Sequence, residues 1–124
     1  MKKVYFATPV NGRTEPTLAE KKEAALARCV EVRNHLKRLH PDWVICYSFM
    51  VCPINYNLSR DHDLTEAEAM GRCITLLLSC DMVVFDDHWE DSHGCCLEWD
   101  AADEYGIQRD MLRNIFSEKK IVKL

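Results

Sequence analysis

No window of this chain approaches the roughly 20 consecutive apolar residues that a membrane-spanning helix needs. Basic charge is not in excess either: 16 lysines and arginines face 20 aspartates and glutamates, for a net charge of -4. That balance argues against nucleic acid or an anionic membrane as the main partner. There is no internal repeat and no low-complexity segment, and a length of 124 makes one domain, residues 1–124, the expectation. The start, Met1-Lys2-Lys3, runs directly into a strand pattern without an apolar leader, so a cytoplasmic chain is expected. No Cys-x-x-Cys pair occurs among the seven cysteines. An odd count without a regular framework favours reduced thiols, and Cys29, Cys46, Cys73 and Cys80 read as small core hydrophobes.

What is present is an alternation of strand and helix patterns. Lys3 to Thr8 is a short apolar run ended by Pro9, and a loop follows to Pro16 with Asn11-Gly12 as its turn. Thr17 with Glu20 is a capping-box pattern, and Ala25, Cys29, Val32, Leu36 and Leu39 repeat at helical spacing behind it. Arg28, Arg33, Lys37 and Arg38 lie off that stripe and read as a solvated face. His40-Pro41-Asp42 stops the helix, and Trp43 to Tyr47 is a second strand. Ser48 to Leu64 has no periodicity; a loop of that length in a compact domain is often functional.

Thr65 and Glu68 form a second capping box, with Ala67, Met70, Ile74 and Leu77 as the expected buried stripe. Met82 to Phe85 is a third strand. Ser92 is the expected N-cap of a helix reaching about Tyr105, with Gly106 closing it. Gln108 to Ser117 allows a further short helix, and Lys120 to Leu124 a last strand. The pattern predicts an α/β fold: a doubly wound, mainly parallel sheet of four to five strands with helices on both faces. The ends of the first and third strands then open on one edge, where ligands of such sheets collect.

The segment at that edge, Asp86 to Glu98, concentrates acids, two histidines and a glycine. On the helix behind Ser92, the residues Gly94, Glu98, Ala101, Ala102 and Tyr105 share a side. Glycine one turn before Glu98 permits close approach of a ligand, and the helix dipole is expected to favour the charged carboxylate, which suits a nucleophile or an electrostatic stabiliser better than a general acid. His88, His93, Cys95 and Cys96 splay around a helix start and are poorly arranged for one metal ion, so no metal is expected. A cysteine nucleophile at Cys95 or Cys96 lacks a third orienting group.

The spacing Asp81-x4-Asp86-x2-Trp89-Glu90-Asp91-Ser92-x-Gly94-x3-Glu98-x3-Ala102-x3-Gly106, with the opening Val4 to Gly12, resembles the nucleoside 2-deoxyribosyltransferase-like superfamily over most of the chain. The resemblance implies a flavodoxin-like sheet and cleavage or transfer of the N-glycosidic bond of a (deoxy)nucleoside or (deoxy)nucleotide. It makes Glu98 the residue that attacks the anomeric carbon. It also implies no cofactor and a homodimer or higher homo-oligomer. Asp91 and Asp86 are then the acids to serve the departing base, with Asp87 and His88 as alternatives. Thr8, Pro9, Asn11, Gly12, Arg13, His88, Trp89, Ser92 and Gly94 line the substrate, with Tyr5 or Phe6 partly exposed to it. Two departures stand out. Ser92 occupies a position where deoxyribosyltransferases carry an acid, and Cys73 occupies another, in the helix before the third strand. They leave a second expectation open, a non-catalytic nucleotide or ADP-ribose-type binding module on the same fold.

Overall fold

The computed structural model describes residues 1–10, 12–52 and 65–116. Four parallel strands form one sheet: β1 (Lys3–Ala7), β2 (Val44–Cys46), β3 (Met82–Phe85) and β4 (Gln108–Met111), in the order β2-β1-β3-β4. This is the α/β fold that the alternation predicts, consistent with a flavodoxin-like arrangement. Helix α1 (Leu18–Leu39) joins β1 to β2, α2 (Glu66–Leu78) precedes β3, and α3 (His93–Glu104) joins β3 to β4. Among the described residues no helix is long and apolar enough to cross a membrane.

Both faces of the sheet are covered, so the central strands β1 from Val4 on and β3 are continuously apolar rather than alternating. The alternation of side chains sorts β1 between two cores. Val4 and Phe6 join Val32 and Leu36 of α1 and Leu112 and Ile115 of the helical turn at residues 112–116. Tyr5 and Ala7 point the other way, to Leu77 of α2 and to Cys95 and Ala102 of α3. Tyr5 therefore lies on the α3 side, and Phe6 is removed from it.

The helix starts follow the capping residues. Thr17, Thr65 and Ser92 accept from the backbone N–H of Glu20, Glu68 and Cys95. Gly106 closes α3 at φ +69°, a left-handed conformation that costs glycine little.

Three expectations need correction. The buried line of α2 is Ala69, Cys73 and Leu77; Ala67 is exposed, and Met70 and Ile74 are half-buried. The helix packs with its Cys73 side against the sheet, so the deepest row falls between the two rows that the apolar pattern suggests. The segment from Gln108 begins as β4, hydrogen-bonded to β3, and turns helical only at residue 112. Its polar residues disguise the strand because β4 is at the edge of the sheet and only half-buried. Arg28 is not part of a solvated face, as described below. The expected strand at Lys120–Leu124 and most of the long loop lie outside the described residues; the start of that loop, Ser48–Met50, is a 3-10 turn.

Candidate functional site

The carboxyl ends of β1 and β3 are neighbours, paired up to Ala7 with Phe85. Thr8 and Asp86 are therefore side by side, and the Thr8 hydroxyl donates to Asp86 Oδ2 at 2.9 Å. Further out, the loop after β1 meets the 3-10 turn Trp89–Asp91: a Cβ on Gly12 would sit 3.0 Å from the Asp91 carbonyl oxygen. Only glycine lets these two backbones touch. Gly12→Ala should push the loop outward by a few tenths of an ångström and cost about 1 kcal/mol. Chemical denaturation checks this, and an unchanged midpoint would refute the contact.

Glu98 lies on the sheet-facing stripe of α3, between Cys95 and Ala102, and is only 6 % exposed. It lines a cavity of about 360 Å³ walled by Thr8, Ser92, Gly94, Met70 and Cys73 among others. Tyr5, rising from the sheet below, lies against the Glu98 carboxyl, and its phenol is pushed well above its ordinary pKa by burial and by the nearby Glu98 charge. Among the described residues Glu98 Oε2 has no hydrogen-bond partner. A buried carboxylate oxygen without a partner is costly, and a ligand in the cavity would satisfy it.

Burial raises the Glu98 pKa from 4.5 to about 7, a rise that the Tyr5 phenol only partly offsets. This corrects the expectation that the helix dipole holds the group charged. Glu98 lies beyond the first turn of α3, where the dipole fades, and desolvation is the larger effect.

Asp86 is the opposite case. It is 5 % exposed, and Arg28 grips it with two bonds, Nε to Oδ2 and Nη2 to Oδ1, both 3.0 Å. Thr8 and the Asp87 N–H add two more. Burial pushes the Asp86 pKa up, but hydrogen bonds from Arg28 and Thr8 and the guanidinium charge outweigh it and leave the pKa below its ordinary value. An acid so held is ionised at neutral pH and is a poor proton donor, which counts against the catalytic role expected for it.

The expected site residues thus divide. Glu98, Thr8, Ser92 and Gly94 line the Glu98 cavity. Pro9, Gly12, Arg13, Asp86, His88 and Asp91 line a neighbouring hollow of about 470 Å³. His88 holds a left-handed backbone, φ 64°, and its Nδ1 lies 4.0 Å from the Asp91 carboxylate at the exposed rim. Trp89 lines neither space: it stacks on Trp99 at 4.5 Å, with Phe85 beneath and Arg109 over Trp99. It is a packing residue, because the turn after β3 directs it toward α3. Asn11 lies outside the described residues.

Sequence reading missed Arg28, whose partner is 58 residues away, and it missed Met70 and Ala69 on the cavity wall. Cys73 also reaches that wall, where burial and the Glu98 charge push its thiol pKa up; its Sγ is 3.7 Å from Cys52 Sγ. All seven cysteines are free. Among the described residues no group of three or more histidine, cysteine or acidic side chains is placed to hold a metal ion.

Residues 2–109 match the family model described as "Domain of unknown function (DUF4406)". The chain belongs to this family. No curated protein and no solved structure matches it. The matched span takes in β1, all three helices and the residues that line both recesses.

Proposed function

We propose that the protein cleaves or transfers the N-glycosidic bond of a (deoxy)nucleoside or (deoxy)nucleotide, with Glu98 as nucleophile. The observation that carries this reading is the buried Glu98 carboxyl, beside Tyr5 and with Oε2 unpartnered on the wall of a cavity at the carboxyl ends of β1 and β3. The likeness to the nucleoside 2-deoxyribosyltransferase-like superfamily supplies the reaction.

Such a bond breaks through an oxocarbenium-like state, which a carboxylate beneath the sugar stabilises strongly in a desolvated site. The Glu98 oxygen bonds to the anomeric carbon as the C–N bond breaks, and the C–N electron pair leaves with the base, which takes up a proton. Asp91, at the rim of the neighbouring hollow, is the expected proton donor, and Asp86 becomes a positioning residue that ties Thr8 to Arg28. Water or a second base then attacks the anomeric carbon and releases the carboxylate. The same resemblance carries the expectations of a homo-oligomer without a cofactor.

Incubation with deoxynucleosides and their 5′-monophosphates should release free base, and Glu98→Ala should lower that release at least about a thousandfold, as loss of a nucleophile does. Because the ionised form attacks and the Glu98 pKa is about 7, kcat/KM should rise with pH through that value before levelling. No base release from any substrate, or equal release by the variant, refutes the reading.

A second reading, a non-catalytic nucleotide or ADP-ribose-type binding module, is favoured by one observation. The acids that line the cavity are Glu66 and Glu98, whereas Asp86, Asp87 and Asp91 open onto the hollow. A nucleotide that raises Tm without turnover would support it.

A further inference from the structure

We propose that the Glu98 cavity selects unphosphorylated ligands, taking a neutral or cationic ring compound such as a nucleoside and disfavouring its 5′-phosphate. The proposal rests on the glycosidic reading and narrows it. Phosphate recognition relies on arginine or lysine with free donors. Among the described residues no lysine or arginine lines the cavity; its acidic walls are Glu66 and Glu98, and its one basic residue is His93. Lys22 lies nearby, close enough for its charge to act on Cys52 and Glu66, but it is buried and already partnered.

The hollow does bring two guanidinium groups, and each is paired with a carboxylate of the protein. Arg28 is spent on Asp86 and Glu31, and Arg13 on Glu15. Asp87 and Asp91 add further negative charge, so the hollow carries four carboxylates against two arginines. At the start of α3, where an anion could otherwise be held, the Cys95 N–H is already bonded to Ser92 Oγ. A phosphate brought to either recess therefore meets a surplus of negative charge. The unpartnered Glu98 Oε2, by contrast, offers an acceptor to an N–H or O–H of an uncharged ligand.

A carboxylate about 8 Å from a phosphate charge in water weakens binding about twofold, so several acting on a dianion amount to about tenfold or more. The experiment compares one deoxynucleoside with its 5′-monophosphate, by calorimetry and by base release, at low and high ionic strength. The expected result is a preference for the nucleoside of at least about tenfold at low salt, shrinking as salt screens it. The double variant Glu66→Gln/Asp87→Asn, which leaves Glu98 in place, should shrink it severalfold at low salt. Equal or tighter use of the monophosphate overturns the proposal while leaving Glu98 as nucleophile intact. A preference unmoved by salt and by the double variant also overturns it. If neither compound is bound or cleaved, the glycosidic reading itself falls, and the selectivity with it.

Discussion

Replacing Glu98 by glutamine is expected to stabilise the fold at pH 8 and to leave it unchanged at pH 4. In the folded protein Glu98 holds its proton up to about pH 7, against 4.5 when exposed. Between these values the folded state binds more protons than the unfolded state, so stability falls as pH rises and stays low above 7. The shift is worth about 3 kcal/mol at 1.36 kcal/mol per pKa unit. The glutamine amide occupies the same partnerless place and gives some of this back, leaving a gain of about 2 kcal/mol. Denaturant titrations of both forms across this range measure it. The wild type should lose stability between pH 5 and pH 7.5 relative to the variant, which lacks this slope. Parallel curves would show that Glu98 is not a strained acid. The gain in stability should accompany loss of base release, because the feature that destabilises the fold is the one the proposed reaction uses.

The second large effect is expected at Arg28. Arg28→Met removes two hydrogen bonds and the neutralising charge from Asp86, which is buried and cannot turn to solvent. Breaking a buried pair from one side leaves an uncompensated charge, and a loss of about 3 kcal/mol is expected. The same deletion should raise the Asp86 pKa, since burial, the largest influence on it, would no longer be outweighed. The loss should therefore be greatest at neutral pH and smaller in acid. Arg28→Met/Asp86→Asn should recover part of the stability, because the orphaned charge is gone. A single variant as stable as the wild type at neutral pH would show that the pair is incidental. Substitution of Arg33, which lies one turn further along α1 and is exposed, should change stability by less than about 0.5 kcal/mol and serves as the control.

Arg28 and Glu98 show where sequence reading stops. Both were visible as residues: one was assigned to a solvated face, the other to the charged start of a helix. Each was placed by its position in a helix, and each is governed by something distant in the chain. Arg28 finds Asp86 only because β1 and β3 are adjacent in the sheet and α1 crosses above them. Glu98 is desolvated only because α3 turns that stripe onto Tyr5. By comparison, Thr17, Thr65 and Ser92 cap their helices where the sequence predicts, since a cap is a contact between residues three apart.

The sequence by itself determined the α/β alternation, the capped helix starts, the glycine that ends α3 and the convergence of the β1 loop with the segment after β3. These depend on short-range sterics, on hydrogen bonding within a turn and on apolar periodicity, all of which are written locally. Only the tertiary structure decided that Asp86 is a locked anion, that Glu98 is a proton-retaining acid, that Trp89 packs rather than lines the site, and that the expected site is two recesses. Burial and charge pairing depend on which distant elements meet, and no local pattern carries that information.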